Sequence, residues 1–155
     1  MKDLDWSNLS FGYRQTDYNV RCYYRDGKWG EIEVCSDEYL KLHMAATCLH
    51  YGQEAFEGLK AYRCPDGKVR VFRMDENAKR LQSTCRGILM PEVPTEMFEE
   101  MVKKVVRLNQ EWIPTYESGA TLYIRPLLIG TSAQVGVHPS KEYCFLIFVT
   151  PVGPY

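Results

Sequence analysis

The sequence lacks long apolar runs, an excess of charge of one sign, and closely spaced cysteine and histidine pairs. The apolar run from Phe145 to Val149 has the length of a strand, far below the roughly 20 apolar residues of a membrane span. Nineteen basic and 20 acidic residues give a formal net charge of -1. The chain therefore has no basic field for nucleic acid or anionic lipid, and we expect neither partner.

The six cysteines contain no C-x-x-C pair and no evident histidine partner, so the sequence does not favour a metal site. The first five residues, Met1 to Asp5, include two acids and no apolar signal core. We therefore expect a cytoplasmic protein whose cysteines are reduced and mostly buried.

The 155 residues, 45% of them hydrophobic, are typical of one globular domain with β-rich segments. Two predicted hairpins have turns at Asp26-Gly27 and at Pro65-Asp66-Gly67, because Asp-Gly favours the positive φ angles of such turns. Their strands are Tyr18 to Tyr24 with Trp29 to Val34, and Leu59 to Arg63 with Val69 to Arg73. Thr121 to Ile129 and Tyr143 to Val149 are also β-rich, whereas Ser36 to His50 fits either a helix or an extended segment.

Two apolar stripes with helical spacing complete the secondary structure. Asp75 is a candidate N-cap for a short helix from Glu76 to Arg86. Thr95 is a candidate N-cap for a longer helix whose apolar stripe extends to Trp112 and which ends before Pro114. The sequence therefore predicts an α+β fold, with helices packed on a mostly antiparallel sheet.

No phosphate loop, nucleophile elbow or zinc motif is present, so the candidate site residues are scattered. Tyr123 and Arg125 lie two apart in a strand and should share one face. An arginine there suits a carboxylate ligand, but an ion pair with an internal acid is the more common structural role. Arg80 could bind an anion or pair with a surface acid. For Tyr51 and Phe56 the sequence favours a place in the core over a place in a pocket wall.

Several ordered motifs have a family-like spacing. They are L-H-Y-G-Q-E-A-F-E-G-L-K-A-Y-R at 49–63, V-F-R-M-D-E-N-A-K-R-L at 71–81, L-Y-I-R-P-L-L-I-G at 122–130, V-G-V at 135–137 and F-V-T-P-V-G-P-Y at 148–155. In these motifs the sequence resembles the branched-chain aminotransferases, which are pyridoxal-phosphate enzymes of fold type IV. The resemblance covers nearly the whole chain, and it corresponds to about the first half of such an enzyme.

The resemblance implies the small amino-terminal domain over residues 1–150, with 151–155 as the start of the connection to a larger domain. In the family, the lysine that forms the Schiff base lies in that larger domain. No catalytic residue is therefore expected in this chain, which should be inactive alone. Arg80 corresponds to a ligand of the phosphate of pyridoxal 5'-phosphate, Phe56 to a wall of the substrate pocket, and Tyr123 and Arg125 to the strand pair that receives the second carboxylate of glutamate.

Three further positions correspond to residues that the family supplies across a homodimer interface. Tyr51 matches an aromatic of the neighbouring active site, and Val135 and Val137 match an apolar interdomain loop that reaches the partner's pocket. The implied reaction moves the amino group of leucine, isoleucine or valine to 2-oxoglutarate. A D-amino-acid aminotransferase or an aminodeoxychorismate lyase of the same fold type is an alternative, as is a non-catalytic binding or oligomerisation module. The segments L-Y-I-R-P and F-E-G-L-K favour the branched-chain group.

Overall fold

The computed structural model describes residues 1–155 and contains one sheet, three α-helices and two short 3-10 helices. The strands are β1 (Asn19–Arg25), β2 (Lys28–Trp29), β3 (Glu33–Cys35), β4 (Glu54–Phe56), β5 (Leu59–Arg63), β6 (Val69–Val71), β7 (Thr121–Gly130) and β8 (Tyr143–Val152). The α-helices are α1 (Thr47–His50), α2 (Met74–Gly87) and α3 (Thr95–Leu108), and the 3-10 helices span Trp6–Asn8 and Gln110–Trp112. No helix has the length and apolarity that crossing a membrane requires.

All strand pairs are antiparallel, and the main path of the sheet is β2-β1-β8-β7-β5-β6. The centre of the sheet is the long β7–β8 pair, in which Thr121 lies opposite Val152 and Gly130 opposite Tyr143. β3 adds to β1, and β4 adds to β7. The predicted α+β class with a mostly antiparallel sheet is confirmed. β8 continues to Val152, two residues past the domain boundary expected at residue 150.

Both predicted Asp-Gly turns form, but the predicted strand from Trp29 to Val34 is divided into β2, which ends at Trp29, and β3, which begins at Glu33. Asp26 and Gly27 have φ angles of 53° and 76°, which match the twist that joins β1 to β2. In the second turn Gly67 has a φ angle of 80°, and the Asp66 carboxylate accepts a hydrogen bond from the Lys68 N–H at 3.0 Å. The strand after this turn ends at Val71 instead of Arg73, because Arg73 adopts a left-handed conformation with φ of 48° immediately before α2.

Both long helices begin and end differently from the sequence prediction. α2 begins at Met74, so Asp75 lies inside its first turn and is not the N-cap. α3 begins at Thr95 itself, after Pro94, because proline suits a non-helical position directly before a helix. α3 ends at Leu108 and not near Pro114, since the buried Asn109 side chain donates to the Val105 carbonyl at 2.8 Å and bonds to the backbone of residues 17 and 18.

The two faces of the sheet have different coverings. α2 and α3 pack on one face and enclose the main core with residues such as Leu81, Phe98, Ile124 and Phe145. The other face carries a smaller core of Ile129, Cys144 and Leu146, covered by Leu40 and Leu42 of an otherwise irregular segment that precedes α1. Side chains that alternate along β7 therefore point either into the helix-covered core or toward the less regular face.

Candidate functional site

Tyr123 and Arg125 share the face of β7 that points away from the helices, as their spacing predicts. Leu122 and Ile124, which alternate with them, are fully buried in the main core. The Tyr123 hydroxyl accepts hydrogen bonds from Arg125 Nε at 3.2 Å and from Nη2 at 2.9 Å. No acid lies within ion-pair distance of this half-buried guanidinium, so the expectation of an internal ion pair for Arg125 is wrong. Its Nη1 group has no partner.

The ring of Phe56 completes this cluster from β4, which pairs with β7. The Arg125 guanidinium carbon lies 4.4 Å from the centre of the Phe56 ring, in a cation–π arrangement. Phe56 is 61% exposed and Tyr51 is 42% exposed, so the expected core packing of these two aromatics is wrong. Gly58 allows the close approach of Tyr123, because a Cβ at position 58 would lie 2.6 Å from the Tyr123 hydroxyl oxygen.

An amino-terminal segment covers Tyr123, which the sequence reasoning missed. The Phe11 ring meets the Tyr123 ring edge to face, with 5.3 Å between ring centres. Phe11, Tyr13, Tyr123, Arg125 and Phe148 line a cleft of about 170 Å³. The Tyr13 hydroxyl donates to Glu38 at 2.8 Å, and burial and this bond raise the pKa of Tyr13 to about 12. No local sequence pattern links Phe11 to Tyr123, so the contribution of Phe11 to the cleft is visible only in the folded structure.

Arg80 lies on α2 and binds an acid that the sequence reasoning also missed. Arg80 Nε lies 2.9 Å from Glu57 Oε1, and Nη2 lies 2.6 Å from Oε2. Glu57 is buried, so the partner is not the surface acid that the sequence suggested. The hydrogen bond and charge of Glu57 raise the pKa of the Arg80 guanidinium above its ordinary value. The Arg80 side chain is still 69% exposed, and its Nη1 group has no partner.

Tyr51, Val135 and Val137 form a second group on the surface. Tyr51 follows α1, and its hydroxyl donates to the Val135 carbonyl in the loop between β7 and β8. A β-bridge between Ala46 and Ala133 also holds this loop. Val135 and Val137 are 87% and 83% exposed. The structure thus brings Tyr51 to Val135, and Phe56 to Tyr123 and Arg125, while Arg80 contacts neither group directly.

The thiols and acids show no reactive or metal-binding arrangement. All six cysteines are free, and Cys22, Cys85 and Cys144 are buried. Burial raises the pKa of Cys85 and of Cys144 to about 11, so both thiols are protonated near neutral pH. The structure contains no cluster of three or more histidine, cysteine, aspartate or glutamate residues that could hold a metal ion.

Comparison with known proteins connects this geometry to a family. No protein-family model matches the chain. Over 155 residues it is 52% identical to a branched-chain-amino-acid aminotransferase of Haemophilus influenzae and 46% identical to one of Helicobacter pylori. Both matches cover the whole chain but 45% and 46% of the relatives, so the chain spans about half the length of the curated relatives it matches.

Solved structures agree with the sequence matches. The Escherichia coli branched-chain amino acid aminotransferase aligns with a TM-score of 0.69 and 27% identity, over 90% of this chain and 41% of that one. A second branched-chain amino acid aminotransferase, solved with pyridoxamine 5'-phosphate, aligns with a TM-score of 0.69 and 25% identity, over 91% and 42% of the two chains. Over its whole length the chain is therefore similar to part of the branched-chain aminotransferases, the family that its sequence motifs resemble.

Proposed function

We propose that the full-length protein carrying this chain is a branched-chain aminotransferase. It would move the amino group of leucine, isoleucine or valine to 2-oxoglutarate, with pyridoxal 5'-phosphate as cofactor. Its relatives support this proposal, and one structural observation carries it. The half-buried Arg125 guanidinium has no acid partner and lies against the exposed ring of Phe56.

This pairing suits a site that must accept two kinds of side chain in turn. A branched aliphatic side chain gains from packing on the apolar Phe56 ring. A glutamate side chain brings a carboxylate, which is costly to bury without a charged partner. The unpaired Nη1 of Arg125 can donate to that carboxylate, and the bonds from Nε and Nη2 to Tyr123 hold the guanidinium in place. Phe11 lines the same cleft, with its ring against that of Tyr123.

Arg80 fits the phosphate of the proposed cofactor. Phe72, Arg73, Glu76, Asn77 and Arg80 line an open cleft of about 380 Å³ beside the first turns of α2. Arg80 lines this cleft and its Nη1 has no hydrogen-bond partner, and a guanidinium is a strong hydrogen-bond donor to phosphate oxygens. Bound pyridoxal 5'-phosphate would supply the electron sink for the exchange of amino groups. This chain would hold the phosphate and the substrate side chain, and we propose that it is inactive alone.

We also propose that the protein forms a homodimer in which Tyr51, Val135 and Val137 reach the neighbouring pocket. Their exposure supports this proposal, because large apolar side chains clustered on a surface commonly mark an interface. The hydrogen bond from Tyr51 to the Val135 carbonyl would hold the loop in a shape suited to insertion. Sedimentation of the full-length protein as a monomer at high concentration would contradict the shared pocket.

The substrate preference of the full-length protein tests the proposed function. Purified protein with added pyridoxal 5'-phosphate is given L-leucine, D-alanine or aminodeoxychorismate, each with 2-oxoglutarate, and glutamate or pyruvate is measured. We expect glutamate to form from L-leucine, and an Arg80→Ala variant to require much more cofactor for the same rate. Turnover of D-alanine or aminodeoxychorismate alone would favour the other fold type IV enzymes. Absence of both turnover and a visible absorbance band would favour a non-catalytic module.

A further inference from the structure

Glu57 is the only carboxylate among the buried residues, with 3% of its surface exposed. Burying a charged carboxylate is unfavourable unless it is paired and its oxygens accept hydrogen bonds. Both Glu57 oxygens do so, because Arg80 donates to each of them and Asn77 Nδ2 donates to Oε2 at 3.1 Å. Asn77 and Arg80 lie three residues apart on α2 and therefore share one face of the helix.

The backbone around Glu57 connects the two parts of the candidate site. Phe56 and Glu57 are adjacent, and their side chains contact Arg125 and Arg80 respectively. The Glu57 N–H donates to the Pro126 carbonyl at 2.9 Å, directly after Arg125 in β7. Because β7 holds the backbone of Glu57, Glu57 fixes the Arg80 guanidinium relative to the central strands of the sheet and not only relative to α2.

We propose that Glu57 is a positioning residue that holds the Arg80 guanidinium by its Nε and Nη2 edge and directs Nη1 to a phosphate group in the α2 cleft. This inference rests on the proposed function, because it takes Arg80 as the phosphate ligand. An exposed arginine loses much rotamer freedom when it binds an anion, and a guanidinium already fixed on one edge loses less. The bidentate contact also sets the plane of the guanidinium.

A purely electrostatic role makes the opposite prediction. If Glu57 only neutralised Arg80, its negative charge would repel phosphate, and removing that charge would strengthen phosphate binding. If Glu57 positions Arg80, the isosteric change Glu57→Gln weakens phosphate binding, because an amide keeps one acceptor oxygen and replaces the other with an NH₂ group, so the contact on both carboxylate oxygens is lost. The direction of the change therefore separates the two roles.

The test uses the full-length protein, ¹⁵N-labelled at its arginines and freed of cofactor, with NMR and inorganic phosphate as the probe. In the unmodified protein we expect a sharp Arg80 Nε–H signal that shifts as phosphate binds. In Glu57→Gln we expect that signal to broaden through exchange with water, and the phosphate Kd to rise roughly three- to tenfold, as expected when binding must immobilise one flexible side chain. Glu76→Gln is the matched control, since Glu76 lies in the same cleft but bonds to Arg73 and Lys79. It should leave the Arg80 signal sharp, with phosphate binding equal or tighter.

A second variant covers the case in which Glu57→Gln does not fold, as judged by circular dichroism. Asn77→Ala removes the 3.1 Å bond to Glu57 Oε2 and should broaden the Arg80 signal and weaken phosphate binding by a smaller factor. A sharp Arg80 signal with equal or tighter phosphate binding in either folded variant would overturn the positioning role. If phosphate shifts no Arg80 signal in the unmodified protein, the proposed phosphate ligand itself is wrong, and that failure is visible before any variant is made.

Discussion

Replacing Asn109 by alanine should destabilise the protein more than any surface change. Asn109 is fully buried and follows α3. Its Oδ1 accepts from the backbone N–H groups of Asp17 and Tyr18 at 3.1 Å each. Its Nδ2 donates to the carbonyls of Tyr18 at 2.9 Å and Val105 at 2.8 Å. One side chain thus satisfies four backbone groups and ties the amino-terminal segment to the helix.

The magnitude follows from the groups that lose their partners. An unsatisfied buried polar group costs about 1–3 kcal/mol, but the backbone near residues 17 and 18 is only half-buried and can recover water. We therefore expect Asn109→Ala to lower the free energy of unfolding by about 2–4 kcal/mol. That is a large part of the roughly 5–15 kcal/mol typical of a domain.

Urea unfolding measured by circular dichroism gives this free energy. Gln110→Ala is the control, since this neighbouring side chain is exposed, and it should change the free energy of unfolding by about 0.5 kcal/mol or less. Limited proteolysis should also cut residues 1–18 faster in Asn109→Ala. A loss below about 1 kcal/mol would show that water or a rearranged backbone replaces the four bonds, and would refute this reasoning.

Two further predictions concern the substrate cluster and the buried thiols. Gly58→Ala places a Cβ 2.6 Å from the Tyr123 hydroxyl, so in the full-length protein the KM for glutamate should rise severalfold. Gly87→Ala is the control, since Gly87 has open space around it, and it should leave the KM for glutamate unchanged. Equal kinetics in both variants would show that Tyr123 moves freely. Burial raises the pKa of Cys85 and Cys144 from about 9 to about 11, so the unfolded chain loses these protons first as pH rises. These two thiols should therefore add no pH dependence to stability below about pH 8, and they should lower it between about pH 9 and 11. Urea midpoints that do not fall in this window would contradict the shift.

Local sequence signals predicted most of the fold. The Asp-Gly turns, the apolar stripe of α3 and the β-rich segments around Tyr123 and Phe145 identified the hairpins, the long helix and the central strand pair. The errors lie at the ends of helices and strands and in the predicted strand from Trp29 to Val34, which the structure divides into β2 and β3. α3 ends at Leu108 because the Asn109 side chain bonds to Asp17 and Tyr18, which lie 92 and 91 positions earlier in the sequence. Helix propensity is a local property and does not include such contacts.

The candidate site was predictable where it depends on alternation and not where it depends on distant partners. The two-residue spacing of Tyr123 and Arg125 was sufficient to place them together on one face. Glu57 and Phe11 were missed, because their contacts to Arg80 and Tyr123 span 23 and 112 positions respectively. The exposed Phe56 was misjudged for the same reason, since the neighbour that covers part of its ring is Arg125.

The kinetics of Arg125→Ala in the full-length protein test the central claim most directly. If Arg125 receives the second carboxylate of glutamate, its loss should raise the KM for glutamate roughly ten- to a hundredfold, as for one charge-assisted contact, and change the KM for leucine by about threefold or less. Arg107→Ala, on the exposed face of α3, is the control and should change neither. Equal losses for glutamate and leucine would show that Arg125 supports the pocket as a whole and would contradict the proposed recognition of two side chains.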